Sequence, residues 1–290
     1  MRRVGLLLAA SADDPQWQPR IARFLQGLQQ TGWTVGHNVQ VDIRRTGGKA
    51  DDVRKFAEEL VALGPDVIFS AGGPQLAALQ QASRTVPIVF SNVADPVAAG
   101  FVNSLARPGG NITGFMAAEY GISGKWLELL KDIAPGVTRV AVIRDLANRS
   151  GLGQFGALQS AAQSFGVELS PVGISDIGEI ESSIGAFARS PNGGMIVPQG
   201  AAGVVYRAPL VRLAEKHRLP AIYSDRAFVA DGGLLSYGPD RLDAYIRAAG
   251  YVDRILRGVK PADLPVQAPT KYETVLNLKD RKSTRLNSSH

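Results

Sequence analysis

Residues 86–92 read VPIVFSN and residues 219–225 read LPAIYSD: a proline, a short apolar run, a serine, then an amide or an acid. A second pair occupies the slot before each, DVIFSAGG at 66–73 and GMIVPQGA at 194–201. Short apolar runs bounded by turn residues read as buried strands of a parallel sheet. Their recurrence in one order, with helical spacing between them, restricts the chain to a duplicated α/β architecture of two Rossmann-like lobes with parallel sheets. Such sheets need right-handed crossovers, and they bind ligands outside the carboxyl ends of their strands.

The first half follows this scheme from its start. Residues 4–8, VGLLL, form a strand, and Ile21, Phe24, Leu25 and Leu28 mark one face of a helix that Gly32 closes. Val39, Val41 and Ile43 alternate as an edge strand, and Val53, Phe56, Ala57 and Leu60 mark a helix over 50–63. Asp95-Pro96 pairs a capping residue with proline at a first helical position, which predicts a helix there. The turn at 108–111, PGGN, then leads into a strand over 112–115. The pattern restarts with a helix containing Trp126, Leu129, Leu130 and Ile133, followed by strands near 139–143, 167–172, 195–197 and 220–223. A helix over 240–257 completes the first lobe. Crossings between lobes are expected near 114–121, 232–240 and the proline-rich 259–269. The expected lobes are 1–114 with 237–262 and 115–236 with 263–279, joined by a three-segment hinge that closes a cleft around a ligand.

Composition removes several classes of function. The chain has 290 residues and no cysteine, so thiol catalysis, cysteine-ligated metals and disulfides are excluded. No His/Asp/Glu cluster has zinc spacing, and no G-x-S-x-G, phosphate-binding or dinucleotide-binding glycine motif occurs. His217 reads as a helix-terminal residue, His37 as a turn residue, and the acidic pairs at 13–14 and 51–52 as helix caps. Catalytic residues, metals and cofactors are therefore not expected. The formal charge is +6, but Arg281, Lys282 and Arg285 supply half of it in the last ten residues, so no nucleic-acid partner is expected. Residues 1–12, MRRVGLLLAASA, have the outline of an export signal, yet the apolar run is minimal and reads better as the first strand. An export signal is thus expected to be absent from this chain. Residues 280–290, DRKSTRLNSSH, show no apolar periodicity and read as a foreign or disordered tail.

The strand ends supply the candidate site. Ser70, Ala71, Gly72 and Gly73 follow a buried strand and precede a helix, where glycine lets a ligand approach the backbone and free N–H groups suit a carboxylate or a hydroxyl-rich solute. Asn92 and Asp225 hold matching slots after the fourth strand of each lobe, open to ligand contact or to turn bonding. Tyr237 lies at the return crossing, able to stack on a ligand or to pack the hinge. Asp95 reads first as a cap and second as a partner for a ligand ammonium.

The runs PIVFSNVADPVAAGFVNSLARPGGNITGF, GKWLELLKDIAPGVTRVAVI, RLPAIYSDRAFVADGGLLSYGPD and ETVLNLK resemble the ABC-transporter substrate-binding protein family. The resemblance is to its tryptophan-type amino-acid-binding branch and covers residues 3–279. It implies a type I periplasmic-binding fold and a monomeric, extracytoplasmic receptor that hands a small polar solute, an amino acid or related carboxylate, to a membrane permease. By resemblance, the ligand-facing strand ends are Ser11, Ser70, Ala71, Gly72, Gly73, Asn92, Asp95, Gln199, Asp225 and Tyr237. Two other readings stay open: the ligand-sensing domain of a regulator, and an enzyme such as a racemase or aldolase on the same scaffold.

Overall fold

The computed structural model describes residues 1–9, 17–47, 50–144, 150–174, 176–199 and 205–278. In chain order the strands are β1 (Arg2–Leu8), β2 (Val39–Arg45), β3 (Val67–Ala71), β4 (Ile88–Val93), β5 (Ile112–Met116), β6 (Arg139–Arg144), β7 (Glu168–Gly173), β8 (Gly193–Val197), β9 (Ala221–Tyr223), β10 (Leu235–Pro239) and β11 (Tyr272–Leu276). The helices are α1 (Trp17–Gln30), α2 (Ala50–Ala62), α3 (Gly73–Ala82), α4 (Ile122–Ile133), α5 (Ser150–Ala162), α6 (Ile177–Phe187), α7 (Arg207–Lys216), α8 (Arg226–Ala230) and α9 (Arg241–Leu256).

The chain folds as two units, residues 1–117 with 240–271 and residues 118–239 with 272–290. In the first, five parallel strands run in the order β2-β1-β3-β4-β5. Side chains alternate across this sheet, so each face carries its own core. Val4, Leu6, Leu8 and Phe69 pack with Phe24, Leu28, Tyr245 and Val252 of α1 and α9. Leu7, Ile68 and Phe90 pack with Leu60, Leu76 and Leu79 of α2 and α3 on the other face. Phe24 stacks on Phe69 at 4.7 Å, a contact worth about 0.5–1.5 kcal/mol beyond its burial. Helices α1 and α9 approach so closely that a Cβ on Gly27 would lie 2.7 Å from the Ala249 methyl.

The second unit repeats the arrangement with the order β11-β10-β9-β8-β6-β7, parallel except for β11. One face packs Ile143, Met195 and Val197 against Ile180, Ile184 and Leu210. The other packs Val140, Val142 and Ile196 against Trp126, Leu130 and Leu158. The short strand β11 pairs antiparallel with β10, register Tyr237 to Thr274, and was not recognised as a strand from the sequence.

Three expectations change. Residues 263–271 belong to the first unit, because Leu264 is fully buried in its core and the Thr113 hydroxyl donates to the Leu264 carbonyl at 2.6 Å. Gln267 then exchanges backbone hydrogen bonds with β5, so the third crossing falls at 271–272. Residues 115–117 join the first unit and 237–239 the second, since β5 keeps its pairing through Met116 and β10 through Pro239. The helix read after Asp95-Pro96 is instead a run of hydrogen-bonded turns at 96–100. Gly100, at φ +73°, ends it after one turn, too short to repay helix nucleation.

Candidate functional site

Each sheet has one place where successive strands are added in opposite directions, β1/β3 in the first unit and β6/β8 in the second. The helices leaving such a pair go to opposite faces, which leaves a crevice at the carboxyl ends where ligands bind in open α/β sheets. Both of these switch points carry polar side chains in an otherwise apolar setting.

In the first unit, β3 ends at Ser70 and Ala71, both fully buried, and the Ser70 hydroxyl has no hydrogen-bond partner among the described residues. Gly72 caps α3 with φ +123° and ψ 150°, a conformation that glycine alone adopts readily. Its N–H donates to the Ser91 carbonyl at 3.1 Å. A side chain on residue 72 would also collide with Gln75 Oε1. Gln75 stands at the third helical position, where a glutamine commonly reaches back to the capping N–H. Because Ser91 already takes that N–H, the amide turns to Thr46: Nε2 donates to Thr46 Oγ1 at 3.0 Å, and the hydroxyl donates to the Leu8 carbonyl at 3.3 Å. Gly73 faces open space, with nothing within 4 Å of a Cβ placed there.

One strand further, Asn92 sits in an irregularity of β4 with φ +62°, and its Oδ1 accepts from Nη1 of Arg241 at the start of α9. Burial pushes the Tyr245 phenol above its ordinary value, which Arg20, Arg241 and the Ser91 side chain offset only in part. Asp95 Oδ1 accepts from the Ala98 N–H at 2.9 Å, so its carboxylate caps the turn that follows. Ser11 lies outside the described residues.

In the second unit, β6 ends at Arg144, whose guanidinium stacks over Phe155 of α5 at 4.8 Å. Among the described residues no carboxylate or carbonyl serves it, and its Nε is buried without a partner. Gln199, just past β8, has both side-chain amide atoms buried and, among the described residues, unpartnered. Asp225 caps α8 by accepting from the Ala227 N–H at 2.9 Å. Tyr237 lies within β10, stacked on Tyr272 at 5.7 Å, while its carbonyl accepts from Trp126 Nε1 at 2.7 Å.

The structure thus brings Ser70, Ala71, Gly72 and Gly73 together at one switch point and puts Gln199 at the other. It gives Asn92, Asp95, Asp225 and Tyr237 partners within their own units. Sequence reasoning passed over Gln75, Arg241 and Arg144. Arg144 had a legible signal, a charged residue closing the apolar run at 140–143 where β1, its counterpart in the first unit, ends at Leu8 before Ala9.

Two sheets that share one strand order, parallel apart from β11, and three chain crossings make up the type I periplasmic-binding fold. This chain belongs to the family described as ABC transporter substrate binding protein, whose model matches residues 13–287. A tyrosine-binding protein of Clostridioides difficile is 27% identical over 255 residues, 88% of this chain and 73% of that protein. Among solved structures, an ABC domain in complex with L-Trp from Streptococcus pneumonia superposes with a TM-score of 0.88 at 23% identity, covering 98% of this chain and 94% of that one. The ligand-free, open form of a substrate binding protein with adhesive properties from Clostridium difficile gives 0.76 at 23% identity, covering 98% and 95%. The family implies a small-molecule ligand, a transporter permease as partner and an extracytoplasmic place of work. Among the described residues no helix is long and apolar enough to cross a membrane.

Proposed function

We propose that this chain is a monomeric extracytoplasmic receptor that binds an amino acid or a related carboxylate and delivers it chemically unchanged to its permease. The observation that carries the reading is the start of α3. Ser70 offers a buried hydroxyl without a partner, Gly72 bends the backbone away, and Gly73 leaves open space in front of the first helical turn. Free N–H groups and the positive end of a helix dipole favour a carboxylate there. Two relatives, named for tyrosine and solved with L-Trp, support the amino-acid class. The ligand contacts proposed in the first unit are Ser70, Ala71, Gly72 and Gly73; at the switch point of the second unit Gln199 is the candidate, and Asn92, Asp95, Asp225 and Tyr237 mainly shape the surroundings within their own units.

Gly73→Leu tests this directly. The residue has no positive φ and no neighbour in the way, so the variant keeps the wild-type melting temperature. Its side chain fills the space assigned to the ligand, so stabilisation by an amino-acid panel disappears. Wild-type protein at 100 times the dissociation constant of its ligand gains about 2.7 kcal/mol. A ligand recovered in altered form after incubation refutes the receptor reading, and undiminished binding by Gly73→Leu refutes the site.

A further inference from the structure

We propose that Arg144 is a specificity-determining residue that pairs with a carboxylate of the ligand, so that the solute is an acidic amino acid or dicarboxylate rather than a neutral one. The inference deepens the ligand reading above and rests on its assignment of Gln199, in the same unit as Arg144, as a ligand-binding candidate.

Strand β6 places Val140 and Val142 in the core that α4 and α5 cover, and Arg144 continues the same row two residues on, over Phe155. Partly burying a guanidinium is costly unless its donors are served. Three other partly shielded arginines have acidic partners, while Arg139, stacked over Phe187, is served by the Phe187 carbonyl. Arg207 meets Asp231 at 2.6 Å, Arg44 meets Glu59 at 3.0 Å, and Arg247 meets Asp243 at 3.5 Å. Arg144 has none among the described residues, and its Nε is closed off from solvent as well. Contact with the Phe155 ring, 4.8 Å from guanidinium carbon to ring centroid, satisfies none of the group's N–H donors. A guanidinium is the fork that a carboxylate fits with two parallel hydrogen bonds.

A second feature points to the same end of the sheet. Strands β6 and β8 are hydrogen-bonded neighbours, paired through Val142 and Ile196, and Gln199 follows β8 with an unpartnered donor and an unpartnered acceptor. A guanidinium and an amide without partners among the described residues, at the ends of the two switch-point strands, match an anionic group that also carries hydrogen-bonding atoms. Neither the phenol of tyrosine nor the indole of tryptophan supplies a charge for Arg144.

Isothermal titration calorimetry with matched pairs tests this: L-glutamate against L-glutamine, L-aspartate against L-asparagine, with L-tyrosine and succinate as further arms. Each acid and its amide share a shape and differ in charge. The wild type is expected to prefer the better of the two acids over its amide by at least tenfold. Arg144→Met should erase that preference, and Arg144→Lys should keep only part of it, since an ammonium lacks the fork. Without ligand, Arg144→Met should melt at or above the wild-type temperature, because an unpaired guanidinium is removed. Equal binding of acid and amide by the wild type overturns the proposal, as does a preference that survives Arg144→Met. A ligand-free melting temperature several degrees lower in Arg144→Met also overturns it, by making the stacked arginine a structural support. Tight binding of L-glutamine and L-tyrosine without an acid preference removes the role of Arg144 and leaves the amino-acid reading standing. Binding of succinate that depends on Arg144, with no amino acid bound, keeps the role of Arg144 and narrows the ligand to a dicarboxylate.

Discussion

At the switch point of the first unit, Gln75 Nε2, Thr46 and the Leu8 carbonyl form a hydrogen-bonded chain beside the unpartnered Ser70 hydroxyl and Gln75 Oε1, whereas at that of the second Arg144 Nε and both amide atoms of Gln199 have no partner among the described residues. Both sheets have the same strand order, so the topology offers equivalent crevices. What differs is the filling. The first unit meets its crevice with small residues, a glycine turn and an amide tied to the ends of two strands. The second presents a longer cation and an amide that no described residue serves. A fold that repeats a slot does not repeat its chemistry, because the scaffold sets where a side chain emerges and the side chain sets what it recognises.

The largest effect that tests this contrast belongs to Gly72. At φ +123° a Cβ is strained and strikes Gln75, which Thr46 holds in place, so Gly72→Ala should lose about 1–3 kcal/mol in urea unfolding. Gly73→Ala, one residue on and unobstructed, should stay within a few tenths of a kcal/mol of wild type. Equal stability of the two variants would remove the tied turn from the comparison.

Next come the two aspartates after the fourth strands, where the units are most alike. Asp95 and Asp225 each accept a backbone N–H at 2.9 Å, and replacing either by alanine should cost about 1 kcal/mol. Asparagine caps nearly as well, so Asp95→Asn should keep stability and hold ligand affinity within about threefold. A variant that folds normally yet binds tenfold more weakly, a loss of about 1.4 kcal/mol, would make the Asp95 carboxylate a ligand contact.

The smallest effect separates the two glutamines. Gln75→Leu gives up the bond to Thr46 and should lose about 0.5–1.5 kcal/mol. Gln199→Leu removes a buried amide that nothing satisfies, so its ligand-free stability should stay level or rise, while ligand affinity falls. A clear loss of ligand-free stability in Gln199→Leu would mean that the amide serves the fold, and the contrast would fail.

The duplicated α/β plan was legible because it is written in local periodicity. VPIVFSN and LPAIYSD, with the glycine-rich turn at 70–73, mark where strands end, and a strand end is where such a sheet binds ligands. Boundaries were harder, since they depend on partners distant in sequence. Residues 263–271 look like a proline-rich linker, yet Leu264, Gln267 and the Thr113 hydroxyl bind that segment to the first unit. The pairing of Tyr237 with Thr274 was invisible for the same reason: β11 becomes a strand only when β10 lies beside it.

By itself, then, the sequence determined the fold class, the repeat and the glycine turn at the first switch point, because backbone preference and hydrophobic spacing act over a few residues. Only the tertiary structure decided which polar groups are satisfied. Asn92 finds Arg241, Trp126 finds the Tyr237 carbonyl and Gln75 finds Thr46, whereas Arg144 and Gln199 find nothing among the described residues. The physical reason is that a hydrogen bond needs two groups within about 3 Å, and whether the chain brings them there depends on its long-range path.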